Sequence, residues 1–315
     1  MKTSEGRAAG PATRDQGTSV DVLRYTAFSQ HPAGGNPAGV VLDATGADTE
    51  TMQQVAAEVG FSETAFLFPV GDTDFVVRYF NGQGEMSFCG HATIAAAVAY
   101  AERHGPGGMT LYTRSGRITV TTTASACRLA ASLTTVPPRV APISGHALGL
   151  LLDALGWTRD DLDPALPPRV AFAGAWHPVI AVRRRARLAD LGRGSASLRA
   201  LMGSREWTTV NLVWRATPTT YYCRNPFRAG GVVEDPATGA AAAALGGYLR
   251  ALGLVPLPAT ISVFQGEELG RPSQLSVRIP KHSGSGISVT GHAVFLGPTG
   301  TGAARGDELV LPALC

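Results

Sequence analysis

The stretch NGQGEMSFCGHATIAAAVAY, residues 81–100, sets a thiol, Cys89, and an imidazole, His91, on either side of Gly90 and directly before a run of small apolar residues. Imidazoles, thiols and carboxyls are the side chains that move protons near neutral pH. The run behind them reads as a tightly packed helix. A helix start carries unpaired N–H groups and a partial positive charge, so it holds a carboxylate or phosphate without any basic side chain. A second place of this kind occurs at EDPATG, residues 234–239, where Asp235 and Pro236 precede the Ala-rich run AAAAALGGYLRALG. The third element is Glu63 in FSETAFLFP. Strand alternation sets Phe61, Glu63, Ala65 and Leu67 on one side, so a carboxyl interrupts an apolar face. Burial there disfavours the ionised form and is expected to raise the Glu63 pKa towards working pH. A base that takes a proton from one carbon and returns it to another, between two helix starts that hold an anion, makes a proton-shifting site for a small acid.

Each residue also has a plainer reading. Asp235-Pro236 fits a simple helix start, with the aspartate at the N-cap and proline at the first position. His91 fits a satisfied, half-buried histidine, Glu63 an exposed edge-strand residue, and Cys89 a small buried filler. Position 87 is serine where a dinucleotide fingerprint needs its third glycine, which argues against nicotinamide binding. A Cys/His hydrolase lacks an evident group to orient the imidazole.

The elements that must position these groups follow from the pattern. The 315 residues are 44% hydrophobic and 16% charged with a formal charge of +3, an ordinary globular composition with no basic field for nucleic acid. The dense basic run RRRAR, residues 183–187, reads as a solvated surface. Cys89, Cys127, Cys223 and Cys315 lie far apart with no C-x-x-C pair, which argues against a structural zinc site or a disulfide scaffold and fits a reducing compartment. No signal peptide or membrane-spanning run is evident, so a cytoplasmic protein with a disordered tail over residues 1–19 is expected.

VDVLRYTAF, a Gly/Pro turn and VVLD read as strand, turn, strand. Asp48 and Thr49 open a helix that Gly60 stops. FSETAFLFP and DFVVRYF are strands, an Ala-rich helix runs to about residue 103, and MTLYTRSGRITVTTT is a hairpin. The later chain repeats the order: strand TTYYCRNPF, turn RAGGVVEDPATG, Ala-rich helix, and hairpin ATISVFQGEELGRPSQLSVRI. Setting Ala92-Thr93 against Ala237-Thr238 aligns Gly90-His91 with Asp235-Pro236. VPPRVAPISGH, residues 136–146, reads as a linker, because paired prolines disfavour helix and central strand. This divides the chain into residues 20–140 and 141–315, with a final strand near 287–297 that packs back on the first half.

FSETAFLF, RYF followed by GEMSFCGHATIAAA, VVEDPATGAAAAALGGYL and FQGEELGRPS, in that order, resemble the successive signatures of the phenazine biosynthesis PhzF-like family. That family shares its fold with diaminopimelate epimerase and proline racemase. The resemblance implies an α+β fold of two pseudo-symmetric halves, each a curved mixed β-sheet wrapped around a central α-helix, with the site between them. It implies a cofactor-free, metal-free isomerase acting on a small unsaturated amino-acid-like or cyclic carboxylic acid, and it leaves a homodimer open. A natural-product, antibiotic-type pathway is the working context. Glu63, His91 and Asp235 fall on the family's catalytic motif positions. The substrate-binding set it implies is Ser62, Gly90, Ala92 and Thr93 at the first motifs, Thr238, Gly239 and Ala240 at the third, and Gln265 and Gly266 at the last. Two departures stand out. Ala240 replaces the usual serine, and RNPFRAGG replaces an R-x-F-x-P pattern. The related racemases use two thiols. Cys89 stands at the place of the first and the second is missing, so a mixed Cys89/Asp235 epimerase and a non-catalytic binding protein remain the alternatives.

Overall fold

The computed structural model describes residues 20–125, 128–191, 196–227 and 234–297. The tail expected over residues 1–19, Cys127, Cys315 and the RAGG part of RNPFRAGG lie outside the described residues. The chain begins with β1 (Leu23–Ala27), β2 (Asn36–Val41), α1 (Thr49–Val59), β3 (Glu63–Pro69), β4 (Asp74–Asn81), β5 (Gly84–Met86), α2 (Gly90–His104), β6 (Gly108–Thr113), β7 (Gly116–Ser125) and β8 (Arg128–Thr134). It continues with β9 (Arg139–Pro142), α3 (Gly145–Leu155), β10 (Arg169–Phe172), β11 (Trp176–Val182), α4 (Arg185–Ala189), α5 (Ala196–Ser204), β12 (Asn211–Thr217) and β13 (Thr220–Pro226). The last elements are β14 (Glu234–Asp235), α6 (Gly239–Ala251), β15 (Ala259–Gln265), β16 (Ser273–Ile279) and β17 (Ser288–Phe295).

Strands β1, β2, β3, β4, β6, β7, β8 and β17 are each hydrogen-bonded to the next, and β17 returns to β1, which closes a circuit. Helix α2 is enclosed by it and packs on β1, β2, β3, β7, β8 and β17. Alanine makes this enclosure feasible. Ala92, Ala95, Ala96, Ala97, Ala99 and Ala101 are all buried, and a helix so thin on every side lets strands approach all round it. A second run, β16, β15, β13, β12, β11, β10 and β9, starts from the same β17 and packs around α6. The closest approach there is at Gly247, where a Cβ would stand 2.4 Å from the Pro138 side chain, so no larger residue fits without moving the chain. Strand β17 changes partner along one edge: Ser288–Thr290 pair with β16 and Ala293–Phe295 with β1, while the other edge holds β8.

The position of Glu63 follows from β3. Ala65 and Leu67 face the core around α2, and Phe66 faces a separate cluster with Met52, Ala56 and Phe80 under α1. Glu63 shares the parity of Ala65 and Leu67, so it projects inward and is 6% exposed, which removes the edge-strand reading. Helix α1 begins and ends as the spacing predicts: Asp48 accepts from the Thr51 amide at 2.8 Å, and Gly60 closes the helix in the left-handed region at φ 69°.

Four expectations need correction. The second strand begins at Asn36, within the expected Gly/Pro turn, because an edge of β1 is there to pair with. The expected linker contains β9, and β9 pairs with β10; its terminal Pro142 is tolerated at such a strand end. Glu234-Asp235 form a two-residue strand against β13 rather than part of a plain turn. Most importantly, α6 starts at Gly239 with Thr238 as its N-cap, so Asp235 is not a cap and Pro236 is not a first-turn residue. By the same measure Cys89 is the N-cap of α2, and His91 lies inside the first turn rather than before it. The sequence reading also passed over a second core, in which Leu148, Leu151, Trp157, Leu198, Met202, Trp207 and Leu212 bury α3 and α5 against β11 and β12.

Candidate active site

The two helix starts meet at one hollow of about 110 Å³, lined by Ser62, Glu63, Met86, Phe88, Cys89, Gly90, His91, Thr208, Phe227, Asp235, Ala237, Thr238, Gly239 and Ala240. The first intrahelical bonds are Thr93 N to Cys89 O and Ala242 N to Thr238 O. The amides that precede them, at Gly90 and His91 on one side and Gly239 and Ala240 on the other, have no partner within their helices and belong to residues that line the hollow. Both helix dipoles therefore place positive potential in the same small space.

His91 is the hub. Its Nε2 lies 3.2 Å from Glu63 Oε2 and 3.3 Å from Ser62 Oγ, and its Nδ1 lies 3.3 Å from Cys89 Sγ. Burial alone would discharge this imidazole. Its contacts with Cys89 and Glu63 more than reverse that and hold its pKa well above the ordinary value. As an imidazolium it donates from both ring nitrogens, which matches the three contacts. The same pairing overturns the expectation for Glu63. Burial pushes the carboxyl up, but the hydrogen bond and charge of His91, with Ser62 and Cys89 added, carry it below the usual carboxylate value. Glu63 is thus a carboxylate at neutral pH. The Cys89 thiol is pushed up, chiefly by burial, and stays protonated.

Asp235 is the carboxyl whose pKa rises. It is pushed up to about 6, first by burial and also by the charge of Glu63, against the opposing influence of His91, Thr238 and Asn36. Asn36 Nδ2 donates to Oδ1 at 2.6 Å and Thr238 Oγ1 donates to Oδ2 at 2.7 Å, so both oxygens are fixed. Because the folded pKa lies above the ordinary 3.8, the stability this group contributes is complete below that value and is lost as pH rises towards about 6. Unfolding temperatures of wild type and Asp235→Asn across that window test this. Wild type is expected to lose ground to the variant as pH rises, and parallel curves would show that the carboxyl is not held up.

Ser62, Gly90, Thr238, Gly239 and Ala240 join the catalytic candidates at the hollow, whereas four of the expected binding residues do not line it. Ala92 is fully buried in the helix interior. Thr93 turns away, donating to Cys89 O at 2.7 Å and meeting Tyr79 Oη at 2.7 Å, so it braces the helix start. Gln265 stands behind the hollow, accepting from Thr238 N at 3.2 Å and donating to Asp235 O at 2.5 Å. Gly266 packs against the carbonyls of Pro236 and Arg271 at φ 78°. Asn36, Met86, Phe88, Thr208, Phe227 and Ala237 were missed. None of them carried a signal: Asn36 precedes a proline in a glycine-rich segment, where asparagine is an ordinary turn residue. Position 240 carries no hydroxyl, and the one hydroxyl described at the α6 start, Thr238 Oγ1, is bound to Asp235.

Glu234, next to Asp235, forms a buried two-pronged pair with Arg224, at 2.9 Å from Nε and 2.5 Å from Nη2. The basic run RRRAR is engaged as well as solvated: Arg183 donates to Leu162 O, Arg185 pairs with Glu267, and Arg187 pairs with Asp190 and Asp161. No helix among the described residues is long and apolar enough to cross a membrane.

Comparison with known proteins gives the family and the fold. The chain is 29% identical over 297 residues to the uncharacterized isomerase YfhB of Bacillus subtilis, covering 88% of this chain and 96% of that one. It is 28% identical over 276 residues to trans-2,3-dihydro-3-hydroxyanthranilate isomerase of Pseudomonas chlororaphis, covering 86% and 95%. Among solved structures, a PhzF-family phenazine biosynthesis protein of Bacillus anthracis superposes with a TM-score of 0.80 at 25% identity, covering 89% and 98%. A hydroxyproline epimerase of Agrobacterium vitis shares the fold with a TM-score of 0.62 at 14% identity, covering 88% and 91%. Residues 25–297 match the family described as phenazine biosynthesis-like protein, and the chain belongs to that family of PhzF-type isomerases.

Proposed function

We propose that the hollow between the two helix starts shifts a proton between carbons of a small unsaturated carboxylic acid, moving a double bond without a cofactor. The carrying observation is the divergence of two carboxyls at one cavity: Glu63 is held ionised by His91, while Asp235 is pushed up to about 6. Environments that drive two acids apart assign a base and an acid. Glu63 removes the proton from carbon and returns it elsewhere on the same ligand face. His91 stabilises the charge that passes through Glu63 and hydrogen-bonds a polar group of the ligand. Asp235, in its protonated form, donates to the ligand or holds its amine. The amides at Gly90, Gly239 and Ala240 receive the carboxylate.

The relative that isomerises trans-2,3-dihydro-3-hydroxyanthranilate supports a cyclic, amino-acid-like substrate class. A ring of that size needs more than the 110 Å³ hollow. An adjoining hollow of about 330 Å³ shares Ser62, Glu63 and Phe227 with it, so the larger part of the ligand lies beyond Phe227. The division into duplicated halves, residues 20–140 and 141–315, belongs to the same reading, with each half giving one helix start.

The epimerase alternative rests on Cys89. A two-base mechanism needs a second thiol across the ligand; the sequence alignment of the halves sets Glu234 against Cys89, whereas the helix starts shift that match by four positions to Thr238, whose hydroxyl is bound to Asp235, and neither is a thiol. The deciding experiment incubates the protein with unsaturated cyclic amino acids in heavy water and locates deuterium by NMR. Label at a carbon away from the stereocentre, with a displaced double bond, is expected. Label confined to an α-carbon with inversion, abolished by Cys89→Ser, would replace the isomerase reading by the epimerase.

A further inference from the structure

We infer that Gln265 and Arg271, both in the FQGEELGRPS stretch of residues 264–273, are positioning residues that hold the two hydrogen-bond donors of Asp235 in place from behind the hollow. Those donors are Thr238, on Oδ2, and Asn36, on Oδ1. Gln265 serves the first. It is 2% exposed, its Oε1 accepts from Thr238 N at 3.2 Å, and its Nε2 donates to Asp235 O at 2.5 Å and to Thr238 Oγ1 at 3.1 Å. The backbone partners settle which way the amide points, since a flipped one would set N–H against N–H and oxygen against oxygen. The Thr238 hydroxyl therefore accepts from Gln265 and turns its only proton to Asp235. Arg271 serves the second. Its Nε donates to Gly35 O at 2.8 Å, and its Nη2 donates to Gly34 O at 2.6 Å and Thr26 Oγ1 at 3.2 Å. This fork grips the main chain directly before Asn36, whose Nδ2 also donates to Ala237 O at 3.1 Å.

No carboxylate acts on Arg271 among the described residues, and burial pushes its pKa down. A half-buried guanidinium given only carbonyls and a hydroxyl supplies geometry rather than charge pairing. Gly266, at φ 78°, seats the stretch against the site. A Cβ there would stand 2.4 Å from Arg271 O and 2.7 Å from Pro236 O, so only glycine lets the turn approach the residue after Asp235. With a donor on each oxygen, the ionised form of Asp235 is supported against burial, and a proton that joins it must take a lone pair these donors leave free. Loosening either donor weakens the charged form and raises the pKa. The charges that face Asp235 are those of His91 from α2 and Glu63 from β3, with the Cys89 thiol on the same hollow. Arg224 and Glu234, on β13 and β14, pair with each other, Glu267 pairs with Arg185, and Glu268 acts on Arg185 and Arg224. Replacing Gln265 removes none of these charges. The effect on turnover rests on the isomerase reading; the positioning does not.

NMR titration of the full chain with isotope-labelled aspartate carboxyls follows this group without any substrate, its resonance assigned by its loss in Asp235→Asn. Wild type is expected to titrate at about 6. Gln265→Met and Arg271→Met should each raise that midpoint by roughly one pH unit, the size of a loosened hydrogen bond to a charged group. Arg271→Lys keeps the charge but not the fork and should give the same rise. In a Thr238→Val background Gln265→Met should add nothing, since Gln265 acts through that hydroxyl. A folded Gln265→Met protein with the wild-type midpoint would overturn the role of Gln265, and so would additive shifts of Gln265→Met and Thr238→Val. A wild-type midpoint in Arg271→Lys would assign the effect of Arg271 to charge and overturn its positioning. If one variant folds poorly, the other still decides, because each residue holds the donor of a different oxygen. Where turnover is measurable, the alkaline limb of its pH profile should rise with the NMR midpoint. A midpoint that moves while the limb stays would keep the positioning and remove Asp235 as the acid of the isomerase reading.

Discussion

Glu63→Gln is expected to lower turnover by roughly 100- to 10,000-fold, the share that a positioned general base contributes, while ligand affinity stays within a few-fold of wild type. The substitution keeps shape and leaves an oxygen or an amide facing His91 Nε2, so the buried neighbourhood is preserved. What it removes is the charge that holds His91 protonated and the lone pair that accepts a proton from carbon. Two measurements check it: single-turnover deuterium exchange for the chemical step and calorimetry for binding. Retained turnover would take Glu63 out of the chemistry and leave a binding protein with the same architecture. The pH profile gives a separate handle, because the His91 imidazolium loses its partner and should discharge at lower pH than in wild type.

Glu234→Ala is expected to destabilise the fold by about 3 kcal/mol, which for a chain of this length is a fall of about 5 °C in unfolding temperature. Arg224 is 7% exposed and is bound by Glu234 through two hydrogen bonds. Without the carboxylate its hydrogen-bond partners are carbonyls, Ala189 O at 2.9 Å and Leu188 O at 3.4 Å, and the charge that remains to it is that of Glu268, which makes no hydrogen bond to it. The cost falls at the lower end for a broken buried pair because those carbonyls remain. The change should also reach the site, since Asp235 is the next residue and β14 is only two residues long. Differential scanning calorimetry measures the stability; an unfolding temperature within 1–2 °C of wild type, roughly the shift from a surface substitution, would show that the pair contributes little.

The residues that act through local pattern were legible in the sequence. Asp48 and Gly60 mark the two ends of α1 by their own backbone chemistry, and the alternation along FSETAFLFP placed Glu63 on the inward face. Both rest on periods of a few residues. The contacts of Asp235 were not legible. Asp-Pro ahead of an Ala-rich run looks like a cap, yet the aspartate is held by Asn36, which lies 199 residues earlier and meets it only through the tertiary fold. The sign of the Glu63 shift failed for a related reason. Burial could be argued from the strand, but the imidazole that outweighs it comes from a helix 28 positions later, and only coordinates show them 3.2 Å apart. Helix α3 carries its own end signals, Ser144 and Gly156, but that it and α5 share a core against β11 and β12 depends on contacts that only the tertiary fold makes.

Strand β17 has a consequence for how the molecule comes into being. Tyr25 pairs with Phe295 and Ala27 with Ala293, so the circuit around α2 cannot be zipped shut until β17 has left the ribosome. Until then the edges of β1 and β8 are bare templates, and such long-range closure is slow and prone to mispairing. A nascent chain stalled before residue 288 should accordingly be protease-sensitive along β1 and β8, and release of β17 should protect both at once.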